Sequence, residues 1–164
     1  CSTRVQTGHG LPGLQTIFEC SKTDRDVKII ADGGIRNSGD IVKALGAGAD
    51  AVMCGSLLSG TSQTPGKVFE GHNLVKYKTY RGMASKEAQI NWRGKYSSFE
   101  GVSSQVPYRG DVNFILDDLE RGVRSGFSYT GARNLTELQT KAVFVRQTSA
   151  GMGESTAHIN TRKW

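Results

Sequence analysis

The sequence predicts a parallel α/β fold, and three observations carry the prediction. Two short apolar runs, Val27–Ala31 and Ala51–Cys54, are nearly continuous, as strands covered on both faces are. An amphipathic stretch of about ten residues separates them. Each run then ends in a polar glycine turn, Asp32-Gly33-Gly34 after the first and Gly55-Ser56 after the second. Strand, helix and strand with short connections make a βαβ unit, which requires parallel pairing.

The elements follow in order. Pro12 stands where a helix can start, and Leu14, Ile17 and Phe18 have helical apolar spacing. Asn37 or Ser38 can cap a helix whose apolar face is Ile41, Val42 and Leu45, ending near Gly46 or Gly48. From about 61 to 109 the periodicity fades into a polar segment rich in Gly, Ser and Lys. It is expected to be an irregular flap with a hairpin around Glu70-Gly71-His72-Asn73. Beyond Asp111 a helix returns, with Val112, Ile115, Leu116, Leu119 and Val123 on one face, and Gly126 is able to end it. Asn134 and Glu137 form a capping-box pattern for a last short helix. The tail after Thr148 reads as irregular.

Composition narrows the function. The chain has 164 residues, 21 of them glycine, about twice the usual share. No stretch approaches the roughly 18 apolar residues of a membrane span, so no membrane association is expected. Cys1, Cys20 and Cys54 are odd in number and lack CxxC spacing, which predicts a reducing, cytoplasmic setting without a disulfide framework or structural zinc. His9, His72 and His158 have no metal-ligand spacing either. The net charge of +6 predicts an anionic partner. Because the basic residues are scattered and aromatics do not interleave with them, a phosphorylated small molecule fits better than nucleic acid.

In a parallel α/β fold, ligands bind beyond the carboxyl ends of the strands, where both glycine turns lie. Glycines there let backbone N–H groups approach a phosphate. Asp32 has the wrong sign for a phosphate and suits a hydroxyl donor such as a ribose. Without a ligand, both would simply be tight βα turns. In a (β/α)8 barrel the turns after the last two strands form the usual phosphate site. A complete barrel needs at least about 200 residues, so two strands and a chain opening at Cys1 without Met predict the C-terminal portion of one.

Several motifs then follow in register: Cys1-Ser2-Thr3-Arg4-Val5-Gln6-Thr7-Gly8-His9-Gly10, Ile30-Ala31-Asp32-Gly33-Gly34-Ile35-Arg36, Gly39-Asp40-Ile41 through Lys43-Ala44, and Gly48-Ala49-Asp50-Ala51-Val52-Met53 through Gly55-Ser56-Leu57-Leu58. After them come Tyr80-Arg81-Gly82-Met83, Glu100-Gly101, Val106-Pro107-Tyr108-Arg109-Gly110 and Ser128-Tyr129-Thr130-Gly131. This series resembles the IMP dehydrogenase/GMP reductase family along essentially the whole chain. The resemblance implies a purine nucleotide oxidoreductase, a homotetramer of (β/α)8 barrels whose nucleophile matches Cys1. That thiolate would attack purine C2 of a bound GMP or IMP.

Between the two enzymes the flap decides. Dehydrogenases carry an Arg-Tyr pair there as base for the hydrolytic water, whereas this flap has Arg93-Gly94-Lys95-Tyr96. GMP reductase, which deaminates GMP to IMP with NADPH, is therefore the expected activity, with Thr3 and Glu100 handling the departing amino group. IMP dehydrogenase with NAD is the alternative. Gly55-Ser56 and Ile35 favour it, as does the tail Gly151-Met152-Gly153-Glu154-Ser155, which resembles a dehydrogenase segment completing a potassium site. That site would use Cys1, Glu154 and Ser155.

The resemblance further implies phosphate contacts from Gly34, Gly55, Ser56 and Tyr80, with Asp32 on the ribose and Gly33 also in the substrate site. Gly82, Met83, Glu100 and Gly101 would meet the base, and Ser125 and Tyr129 would reach a neighbouring subunit's dinucleotide. Two rivals stand outside this reading. One is a hydrolase using Cys1 as an N-terminal nucleophile, which would need antiparallel strands. The other is a non-catalytic nucleotide-binding half-barrel, which the sequence preceding Cys1 would distinguish.

Overall fold

A computed structural model describes residues 3–97, 101 and 103–155. Helices α1 (Thr3–Thr7) and α2 (Gly13–Cys20) precede β1 (Ile30–Asp32), α3 (Ser38–Gly46) and β2 (Ala51–Met53). Strands β1 and β2 pair in parallel, with Ile30 opposite Ala51 and Asp32 opposite Met53. The βαβ expectation holds. β1 is shorter and later than the apolar run suggested: Val27 and Ile30 are exposed, and Ala31 alone in the strand is buried. The chain before it is held instead by Asp50, whose carboxylate accepts from the Ile29 amide at 2.9 Å while its own amide donates to the Ile29 carbonyl at 2.8 Å.

Proline fixes the start of α2, and the Pro12 carbonyl accepts from the Thr16 amide. Asn37 caps α3 through its Oδ1, which accepts from the Asp40 amide at 2.9 Å. Ile17, Ala31, Ile35, Ile41, Ala44, Ala47 and Ala49 form the core between α2, the strands and α3.

Helix α5 (Val112–Thr130) lies across α3, and Gly126 does not end it. A Cβ at Gly126 would stand 2.6 Å from Val42 Cγ2, and one at Gly122 would run into Ser38. These two glycines, one turn apart, are the flat surface on which α3 rests. The helix terminates at Gly131, which takes the left-handed conformation of a C-cap. Helix α6 (Leu135–Lys141) has the expected cap, with Asn134 Oδ1 accepting from the Glu137 amide at 2.9 Å.

The segment 61–109 is not irregular. It holds β3 (Phe69–Glu70), β4 (Lys76–Arg81), α4 (Lys86–Arg93) and β5 (Ser103–Pro107), and the strands form one antiparallel sheet in the order β3-β4-β5. The hairpin between β3 and β4 lies where the sequence placed it. The rest escaped periodicity because these strands are mostly exposed and polar, with Lys78 as the buried residue of β4. Among the described residues, no helix is long and apolar enough to cross a membrane.

Candidate functional site

Parallel in-register pairing brings the carboxyl ends of β1 and β2 side by side, so both glycine turns leave from one edge. Gly33 and Gly34 have φ of +88° and +77°, a conformation that side chains rarely adopt. A Cβ at either would meet nothing within 4 Å. Their backbone therefore faces open space, a cavity of about 420 Å³ lined by α2, by Ala31 to Ile35 and by Asp40 and Lys43 of α3. Asp32 lines the same cavity and is exposed. Asp40 braces the turn from below, accepting from the Arg36 amide at 3.1 Å and pairing with Arg36 and Lys43. Burial alone would raise its carboxyl, but these hydrogen bonds outweigh it and hold Asp40 below the usual carboxylate range.

The second turn opens on a larger cavity of about 750 Å³, lined by Gly55, by Ser59 to Lys67 in part, by Thr79, Tyr80, Arg81 and Met83, and by Glu87, Ile90 and Asn91 of α4. Tyr80 reaches across to the turn: its hydroxyl lies 3.0 Å from where a Cβ on Gly55 would be. Ser56 is exposed and opens a 3-10 turn, its carbonyl accepting from the Ser59 amide and hydroxyl. Arg81 donates to the Asn91 carboxamide oxygen at 2.7 and 3.0 Å, with that amide oriented by the network it joins.

Gly82 turns the chain out of β4, its carbonyl accepting from the Ser85 amide at 3.0 Å. Gly101 docks on the same turn, donating to the Ala84 carbonyl at 3.1 Å. A Cβ there would lie 2.5 Å from the Ser85 nitrogen, so the contact admits glycine only.

Thus Asp32, Gly33 and Gly34 share one cavity, Gly55, Tyr80 and Met83 share the other, and Gly82 and Gly101 flank the second. Cys1 and Glu100 lie outside the described residues, and Thr3 begins α1. Ser125 and Tyr129 stand one turn apart on the outer side of α5, where Tyr129 is 93% exposed, and neither lines a cavity described above. Glu154 and Ser155 lie on a 3-10 turn where the Ser155 hydroxyl donates to Gln147 at 3.0 Å. Among the described residues no three His, Cys, Asp or Glu side chains cluster, and Cys1 lies outside those residues. Burial pushes the thiol of Cys54, just past β2, above the usual range.

The sequence missed Asn91 and Glu87, which had no signal once α4 was read as loop, and Lys78, a charge at a buried position. Lys78 shares the β4 face of Tyr80, but the strand carries no apolar alternation that would have revealed it.

Three comparisons bear on this geometry. The profile of the IMP dehydrogenase / GMP reductase domain matches residues 1–158. Inosine-5'-monophosphate dehydrogenase of Aquifex aeolicus is 47% identical over 96% of this chain and 34% of its own length. That of Nitrosopumilus maritimus is 44% identical over 96% of this chain and 36% of its own. Among solved structures, a GMP reductase variant of Trypanosoma brucei in complex with guanosine 5'-monophosphate superposes with a TM-score of 0.87. It is 43% identical and covers 95% of this chain and 33% of its own. The chain thus spans about a third of the length of the proteins it matches.

Proposed function

The chain belongs to the IMP dehydrogenase / GMP reductase family, its β1-α3-β2 unit being part of an α/β barrel, and from that premise we propose that it carries the catalytic edge of a purine nucleotide oxidoreductase converting GMP to IMP with NADPH. Residues 1–164 are read as the C-terminal part of the barrel, with 61–109 as its flap.

The nucleotide phosphate lies between the two glycine turns, at Gly34 on one side and Gly55, Ser56 and Tyr80 on the other. Adjacent strands stand about 4.8 Å apart, so one phosphate can reach both turns. Asp32 takes a ribose hydroxyl, and Gly82, Met83 and Gly101 frame the base. Cys1 attacks purine C2. Thr3 and Glu100 relay the proton that the departing amine needs. Bound NADPH supplies the hydride. The exposed hydroxyls of Ser125 and Tyr129 support contact with a dinucleotide in a neighbouring copy, as a homotetramer would provide.

The observation that carries the reductive reading is the position of Arg93. Its guanidinium lies 4.0 Å over the Trp92 ring, just before the Gly94 cap that ends α4, and no Arg-Tyr pair follows in the flap. A flap without an adjacent Arg-Tyr pair supports reduction of the cysteine adduct over its hydrolysis. The rival, IMP dehydrogenase with NAD and potassium, is favoured by the names of the curated relatives and by the Gly151–Ser155 turn. Cys1→Ala tests the shared step in protein with its native flanking sequence. Turnover should vanish while GMP still binds, because the phosphate turns supply affinity apart from the nucleophile. Turnover within tenfold of the parent would remove Cys1 from the mechanism.

A further inference from the structure

Lys78 is 2% exposed at the centre of β4, yet no ion pair among the described residues includes it. Its Nζ donates to the Thr61 carbonyl at 3.0 Å and to the Thr64 carbonyl. Two neutral carbonyls satisfy donors but leave the charge uncancelled, and a buried cation without a counter-ion is costly. Thr64 lines the larger cavity, so the ammonium stands directly behind its wall. Lys78 and Tyr80 are alternate residues of one strand and share a face about 7 Å apart. Both reach the 55–64 segment, Tyr80 at Gly55 and Lys78 at Thr61 and Thr64. The cavity itself contains Lys67, Arg81 and one carboxylate, Glu87, and Arg81 is engaged by the neutral Asn91.

We propose that Lys78 is a positioning residue whose buried charge makes the Gly55–Tyr80 end of this cavity selective for a doubly charged phosphate monoester. It fixes the 61–64 loop through the two carbonyls and reaches the anion through the low-dielectric wall rather than by contact. The inference rests on the nucleotide reading of the site.

The test compares GMP with guanosine 5'-sulfate, an isosteric ester carrying one charge fewer, by calorimetry on protein with its native flanking sequence. The parent should prefer the phosphate about tenfold or more, as one added charge at such a distance implies. Lys78→Met should shrink that preference below about threefold, and Lys78→Arg should keep it. Structural damage would weaken both ligands in parallel, and an unchanged preference in Lys78→Met overturns the inference. If Lys78→Met does not fold, a parent preference under threefold overturns it, and one of tenfold retained in Lys78→Arg supports it. A parent that binds neither GMP nor IMP refutes the functional reading itself. GMP binding without charge selectivity refutes only this inference.

Discussion

The Tyr80 hydroxyl stands 3.0 Å from the point where a Cβ on Gly55 would sit, so β4 closes directly on the turn after β2. A methyl group there must displace the far end of a flexible side chain, which is cheap for the fold. For the site it is expensive, because both partners face the proposed phosphate. Gly55→Ala should change stability by less than about 1 kcal/mol. It should weaken nucleotide binding about tenfold, read by calorimetry beside a denaturant melt. Unaltered GMP affinity would place the phosphate elsewhere.

Gly126 inverts the usual rule for helix glycines. Replacing an interior glycine by alanine normally stabilises a helix by about 1 kcal/mol. Here the new methyl would lie 2.6 Å from Val42 Cγ2. Gly126→Ala should therefore destabilise by about 1–3 kcal/mol, measured as a lowered urea midpoint. Val42→Ala in the same chain should recover part of that loss. A stabilising Gly126→Ala would contradict the α3–α5 packing.

Asp40 gives a pH dependence of known sign. Its folded pKa is lowered, since the Arg36 and Lys43 hydrogen bonds outweigh burial, so the unfolded chain binds its proton more readily. The contribution is fully present above the unfolded value, about pH 4, and is lost as pH falls through the lower folded value. Urea midpoints should drop over that acid range in the parent. Asp40→Asn should flatten this part of the profile and cost about 1 kcal/mol at neutral pH. Equal slopes in the two proteins would remove Asp40 from the linkage.

The βαβ unit, its caps and the glycine turns were legible because each is written locally. Asn37 sits three residues before the Asp40 amide it accepts from, and Pro12 fixes its own φ. The end of α5 was not legible: Gly126 looks like a stop signal until Val42, distant in sequence, is seen filling the space a side chain would need. The sheet of 61–109 was missed because its strands bury little and so lack alternation. At the site, the residues grouped by motif fall into two cavities, one walled by α2 and α3 and the other by β4 and α4. Arg81 lies within a quoted motif, but its partner Asn91 depends on a helix the sequence did not reveal.

The central claim is the direction of the chemistry, and turnover in protein with its native flanking sequence tests it directly. GMP with NADPH should consume the cofactor and release ammonia, while IMP with NAD should yield little XMP. Glu100→Gln should slow ammonia release strongly, since an amide cannot exchange a proton with the leaving amine, and shift GMP affinity by about 1 kcal/mol or less. Rapid XMP formation from IMP and NAD, with no ammonia from GMP, would contradict the account.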